Sequence, residues 1–297
     1  MSWAFFSILA ATFWSTGNII DKIVLSKLVK NPMTPMIMLG IASTLVAVIV
    51  GLGGGLAGFT LSQTLLALLA GITYAFMNVC YLKAVQLEEI SKIIPLFSLS
   101  PLMIAIVAAI TLHEIFTLPT YLGIALILVG AITLSVQRLQ SFSFNRAFWL
   151  MVGAAASITA TEVIQKYLLG FHPYWSVFGY SRLGSLLVIV PVAWVNKEEI
   201  RSMVRGRRFK AIGFMSVSET LNVSALLSIV FASSIGYVTL VNAITQVQPF
   251  IVLALSVIAS FLIPHIFKEE QGLKIFARKF GSISIMFVGV ILLLKFQ

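Results

Sequence analysis

Three charged side chains stand inside runs that would otherwise suit the interior of a bilayer: Glu162 in I-T-A-T-E-V-I-Q-K-Y-L-L, Arg182 in G-Y-S-R-L-G and Glu219 in S-V-S-E-T-L-N. A charge at mid-membrane costs roughly 2.5–3.5 kcal/mol on insertion scales, so such groups face the protein interior or a water-filled cavity. Arg182 carries a permanent charge and a planar fork of donors suited to a carboxylate or phosphate. It serves either as a structural partner of a carboxylate, Glu219 among the candidates, or as the anchor for an anionic group of a bound molecule. Two readings of Glu162 stay open. It is a proton-coupling carboxylate, or it forms an i,i+4 ion pair with Lys166 one turn later on the same helix.

Neutral polar residues add a candidate lining for a cavity. Trp14 and Asn18, then Tyr74, Asn78 and Tyr81, then Ser98 and Ser100, and finally Asn222, Asn242, Gln246 and Gln248 lie in otherwise apolar stretches. Tyr74, Asn78 and Tyr81 recur at i, i+4 and i+7 and share one helix face. Each of these residues is equally suited to an interhelical hydrogen bond. Pro101 and Pro249 free backbone carbonyls within their helices and bend them, which suits gates.

The elements that must position these residues follow from composition. Hydrophobic residues make up 59% of the 297, charged ones 10%, and mean hydropathy is +1.04. Soluble domains have roughly 45–50% and 25%, so the bilayer is the expected solvent. The net charge of +10 then points to a membrane surface, not to nucleic acid. Cys80 stands alone, which excludes an internal disulfide and a cysteine-based zinc site. The first fourteen residues lack a basic stretch, so the first apolar run is expected to be retained as a helix, not cleaved. No cofactor or metal is implied. His113, His172 and His265 fall near span ends and Asp21 is the one aspartate, so a membrane-embedded enzyme is not expected.

Charges, glycines and prolines divide the chain into ten spans of about 20 residues. Span 1 covers 1–20, and the uncharged stretch 31–82 holds spans 2 and 3, parted by G-L-G-G-G-L-A-G at 51–58. Span 4 runs over 93–112 and span 5 from Pro119 to Val136, with Gly123 and Gly130 on one face. Spans 6 and 7 cover 147–168 and 174–195, span 8 covers 209–231, span 9 is a continuous helix over 237–263, and span 10 covers 280–295.

Ten spans divide into two similar halves, 1–140 and 145–297. W-S-T-G-N-I-I-D-K at 14–22 aligns with I-T-A-T-E-V-I-Q-K at 158–166, which places Glu162 opposite Asn18. I-S-K-I-I-P-L-F-S-L-S-P-L at 90–102 aligns with V-T-L-V-N-A-I-T-Q-V-Q-P-F at 238–250, where Pro101 and Pro249 coincide. Five spans per half invert the second copy in the membrane. Seventeen of the 20 Lys and Arg fall on connections 1–2, 3–4, 5–6, 7–8 and 9–10, against Lys166 and Lys295 on the other face. By the positive-inside rule both termini lie outside the cytoplasm.

The ordered set W-S-T-G-N-x-x-x-K, A-V-Q-L-E-E-I-S-K-I-I-P-L-F-S-L-S-P-L, H-E at 113–114 and L-x-G-x-x-L-I-L-V-G resembles the drug/metabolite transporter superfamily, in particular its EamA-type ten-helix members. The resemblance covers 1–296 and implies an all-α integral membrane protein, ten transmembrane helices as two inverted five-helix repeats around a central cavity. It implies a secondary active transporter or exchanger in the cell membrane that moves a small polar, amino-acid-like or anionic metabolite by alternating access, with membrane lipid and protons as further partners. A lipid scramblase or a non-transporting receptor is the alternative. Oligomeric state is left open, and a monomer fits. The basic 7–8 connection and the uncharged 2–3 connection depart from many relatives, so orientation rests on charge alone. The segment H-I-F-K-E-E-Q-G-L-K-I-F-A-R-K ahead of span 10 is an interfacial amphipathic candidate or a solvated loop.

Overall fold

A computed structural model describes residues 2–27, 33–52, 58–87, 96–135, 145–198, 201, 209–262 and 273–296. Those residues form helices α1 (Ser2–Lys27), α2 (Met33–Leu52), α3 (Leu61–Leu87), α4 (Leu99–Thr111), α5 (Leu118–Ser135), α6 (Arg146–Leu169), α7 (Tyr174–Val195), α8 (Phe209–Ile235), α9 (Val238–Thr245), α10 (Gln248–Leu262) and α11 (Leu273–Phe296). No strand occurs among the described residues. Among the described residues seven apolar segments are long enough to cross a membrane, in α1, α3, α6, α7, α8, α9 with α10, and α11, and α2, α4 and α5 carry shorter apolar stretches. In hydrocarbon each backbone polar group must be satisfied within its own segment, which is why so apolar a chain folds as helices.

The glycine run 53–57, residues 88–95 of the long motif before span 4, connection 5–6 from 136 to 144, most of connection 7–8 and the stretch 263–272 of the amphipathic candidate lie outside the described residues.

Two helices are interrupted for one physical reason. Span 9 is not continuous: α9 ends at Thr245, Gln246 and Val247 form a turn, and α10 begins at Gln248. Pro249 has no N–H to return to the Thr245 carbonyl. The chain tightens instead, with Gln246 N donating to Ala243 O (3.2 Å) and Val247 N to Ile244 O (3.0 Å). At Pro101 the freed carbonyl is that of Phe97, and Ser100 Oγ donates to it at 2.9 Å. Here too a turn, at Ser98, interrupts the helix: Leu96 and Phe97 are helical, α4 resumes at Leu99, and the expected start at 93 lies outside the described residues.

The helices pair in a small set of combinations. α5 lies along α11 and α1 along α8. α3 packs on α6 and α7, and α2 on α7. α1 also meets α10, and α4 meets α6. The α5–α11 seam bears out the glycine face read from the sequence. A Cβ at Gly123 would lie 2.8 Å from Gly289 O, and one at Gly289 would lie 2.7 Å from Gly123 O, so the backbones are as close as two helices allow. The largest apolar cluster, around Phe178, Leu226, Ile229, Leu240 and Ile244, joins α7, α8 and α9 to α1 and α5. It fixes where the middles of α7 and α8, and so Arg182 and Glu219, must sit.

Candidate functional site

Arg182 projects from the middle of α7 and is 2% exposed. Its guanidinium lies 4.3 Å over the Tyr74 ring and 5.5 Å from the Phe178 ring, both within cation–π range. Neither Arg182 nor Glu162 has an ion-pair partner within 4.0 Å among the described residues. Arg182 Nε is buried without a hydrogen-bond partner, as is the neighbouring Ser181 Oγ. Arg182 lines a small cavity with Gly40, Ser43, Tyr74, Asn78 and Ser185, with room for about one water molecule.

Close backbone approach builds this centre. A Cβ at Gly71 of α3 would overlap the Ser181 carbonyl, and one at Gly184 of α7 would overlap the Leu68 carbonyl. Only hydrogen at both positions lets α3 and α7 touch directly above and below Arg182. Ser185 Oγ donates to Gly71 O (3.0 Å) and sets their register. The Thr73 and Thr161 hydroxyls, 2.8 Å apart, fasten α3 to α6 on the other side.

Glu162 is also buried, at 6% exposure. The side chains facing it are Asn242 of α9 and Arg182. The expected pairing with Lys166 is not formed. Lys166 Nζ donates instead to Ser233 O (2.8 Å) and Gly236 O (2.6 Å), closing the last turn of α8. A lysine on a four-carbon stem reaches free helix-end carbonyls as readily as a carboxylate one turn back, and those carbonyls have no donor of their own.

Glu219 is likewise buried, but it does not pair with Arg182. It accepts from Asn222 Nδ2 (3.3 Å) and shares the α1–α8 seam with Asp21, which accepts from Ser218 Oγ at 2.5 Å. Asp21 closes the first apolar run, and nothing in the sequence placed it beside Glu219.

The remaining candidates divide between the centre and other places. Tyr74 and Asn78 line the Arg182 cavity. Tyr81, on the same face of α3, lies beyond it, packed on Ala84, Ala147 and Met151 and edge-on to Phe97. Asn18 is exposed, so Glu162 and its aligned partner occupy opposite environments. Trp14 packs half-buried against the main cluster. Gln246 caps α9, and Pro101 and Pro249 sit at the two turns described above.

A third buried carboxylate carried no reading as a site of its own. Glu114, 3% exposed, accepts from the backbone N–H of Val238 (2.9 Å) and of Thr239 (3.0 Å), at the start of α9. His113 makes this possible by adopting φ 56°, a left-handed conformation that turns the chain inward after α4. Glu114 and Lys166 thus clasp the α8–α9 turn from two sides. The H-E pair at 113–114 was visible in the sequence, but its partner 124 residues away was not.

Described residues that form helices without strands, with this many of them long and apolar enough to cross a membrane, make this a multi-pass membrane protein. Residues 1–136 match the model of the EamA-like transporter family. An uncharacterised protein of Methanocaldococcus jannaschii is 28% identical over 132 residues, which are 44% of this chain and 94% of that protein. A solved crystal structure superposes over 98% of this chain and 96% of its own with a TM-score of 0.72 at 16% identity, a likeness of fold.

Proposed function

We propose that the protein is a secondary active transporter or exchanger of the cell membrane that moves a small polar, anionic or amino-acid-like metabolite by alternating access, through a site centred on Arg182. One observation carries this reading: a fully buried guanidinium with an unpartnered Nε and, among the described residues, no carboxylate within 4.0 Å. A structural arginine in the interior is normally held by a full set of acceptors, since leaving such a group unpaired costs several kcal/mol. Here a forked donor is left available beside Tyr74 and Asn78, the composition of a site that orients a polar ligand. The cavity holds about one water molecule, so a metabolite enters after the helices part. The turns before Pro101 and Pro249 are where α4 and the α9–α10 pair would bend.

Two inverted repeats of five spans, 1–140 and 145–297, account for the packing. Exchanging the halves turns the α1–α8 pair into α6–α3 and the α1–α10 pair into α6–α4, and all four pairs occur. The bonds follow the same exchange: Ser15 Oγ donates to Gln248 O (3.3 Å), and Thr159 Oγ1 to Ser100 O (3.5 Å), each hydroxyl and each acceptor in aligned positions. That 132 residues of this chain match nearly the whole of a shorter archaeal protein also fits a half as the unit.

Counterflow in reconstituted vesicles, run with amino acids, sugar phosphates and nucleotide sugars, tests the activity. Saturable exchange of one class is expected, and Arg182→Lys should weaken it by about 1–3 kcal/mol through loss of the forked contact. Lipid scrambling without solute exchange would reject the transporter reading. Orientation is tested in a Cys80→Ala background. A cysteine at Gly58, where a Cβ meets nothing within 4 Å, should react with an impermeant reagent from outside. One at Glu198, 75% exposed, should be protected.

A further inference from the structure

We propose that the Arg182 site takes a monocarboxylate with a compact apolar body and recognises no ammonium group: the guanidinium holds the carboxylate, and Met36, Leu39, Ala75 and Ile189 hold the body. This rests on the reading of Arg182 as the substrate anchor and narrows its substrate class. Among the solutes of the counterflow screen it selects apolar amino acids over sugar phosphates and nucleotide sugars. It adds that an apolar amino acid stripped of its amino group is the better ligand.

The lining of the Arg182 cavity carries the argument. Among the described residues its wall has one charged side chain, Arg182, and no acidic one. The Tyr74 and Phe178 rings lie against the guanidinium at 4.3 and 5.5 Å, so hydrogen bonding to a ligand falls to its edge, where Nε has no partner. The edge of a guanidinium offers parallel N–H groups at the spacing of one carboxylate. The other polar groups of the wall already donate to backbone: Ser43 Oγ to Gly40 O (3.2 Å), Ser185 Oγ to Gly71 O (3.0 Å) and Asn78 Nδ2 to Tyr74 O (2.9 Å). A sugar must place several hydroxyls, and each one buried here without a partner is a cost. The charge count points the same way. A monocarboxylate neutralises the single cation, whereas a phosphate monoester, with about two negative charges at neutral pH, leaves one uncompensated. A zwitterion brings an ammonium to a wall without a carboxylate. Glu162 and Glu219 are not in that wall, and Glu219 accepts from Asn222 Nδ2 on its own helix. The rest of the wall is apolar, as ligand sites mostly are. Met36, Ala75 and Ile189 are buried in one cluster, and α2 comes so close to α7 there that a Cβ at Gly40 would overlap Ile189 Cδ1. Ile189 therefore closes the apolar end and limits the length of the body.

Calorimetric binding to the protein in lipid nanodiscs at neutral pH, with empty discs as the blank, tests this with ligands that share one body. Isocaproate should bind. Leucine, the same skeleton with an ammonium in place of a hydrogen, should bind about tenfold more weakly, and isohexyl phosphate and the uncharged isohexanol about ten- to hundredfold more weakly. Acetate, which keeps the carboxylate and loses the body, should be weaker by about tenfold or more. Leucine, the phosphate or the alcohol binding as tightly as isocaproate would overturn the proposal, as would no binding of isocaproate. Two variants sharpen the assignment. Arg182→Gln should erase the preference for isocaproate over isohexanol, and Ile189→Ala should move the preference toward the longer caprylate. An unchanged preference in either would overturn the role given to that residue, and where a variant fails to fold the ligand series on the wild type decides. Counterflow separates this from the transporter reading. Binding in the expected order without exchange of any solute would reject transport and leave the selectivity of the site standing. Saturable exchange of sugar phosphates or nucleotide sugars without binding of isocaproate would do the reverse.

Discussion

Helix α6 carries two charges one turn apart, the buried Glu162 and the half-buried Lys166, and the fold treats them in opposite ways. Lys166 and its neighbour Glu114 have their polar atoms spent on backbone: two carbonyls at the end of α8 for the lysine, two N–H groups at the start of α9 for the glutamate. Among the described residues Glu162 has no ion-pair partner within 4.0 Å, and Arg182 keeps an orphaned Nε. Charges spent on helix ends hold the α8–α9 turn, where both helix dipoles favour the charges placed there. Charges left incompletely satisfied raise the free energy of the empty site and lower it when a ligand supplies the missing partner. Position along one helix thus separates a charge spent on backbone from one left without such partners.

The sharpest way to break this comparison is at the clasp. Glu114→Ala leaves two buried N–H groups without acceptors and should lower stability by about 3–4 kcal/mol, as for two bonds to a charged acceptor. A thermal unfolding midpoint in mild detergent equal to that of the wild type would show that the clasp is incidental. Lys166→Met should cost about 2 kcal/mol in the same assay, less because the helix-end carbonyls regain water when the turn loosens. At the centre the sign reverses. Glu162→Leu combined with Arg182→Met should leave stability unchanged or raise it by about 1–2 kcal/mol, because apolar replacements of a buried pair remove its desolvation cost. Exchange activity should disappear. A large loss of stability in that double variant would mean the central charges are structural. Ser218→Ala probes the intermediate case, the half-buried Asp21. About 0.5–1 kcal/mol should be lost, since water replaces the hydroxyl there.

Much of the architecture could be read from residue order because the bilayer makes hydrophobic length the dominant signal. The spans found as α7 and α8 began where the apolar runs began, after His172-Pro173 and after the basic 7–8 connection. The seam of Gly123 and Gly130 was visible as a spacing of seven. The break in span 9 was not placed, although Pro249 was named as a bend. Whether a proline bends a helix or interrupts it depends on which neighbours take the freed carbonyls.

By itself, then, the sequence determined that the chain is helical, that it lives in a membrane, and that Glu162, Arg182 and Glu219 had to be buried, because each of these follows from the cost of putting polar groups into hydrocarbon. Tertiary structure alone decided the partners. It sent Lys166 to the end of α8 instead of to Glu162, set Glu219 beside Asp21, left Asn18 exposed, and brought Glu114 to residues 124 and 125 positions away. A side chain several bonds long can reach many acceptors, and which of them it meets is fixed by how the helices cross.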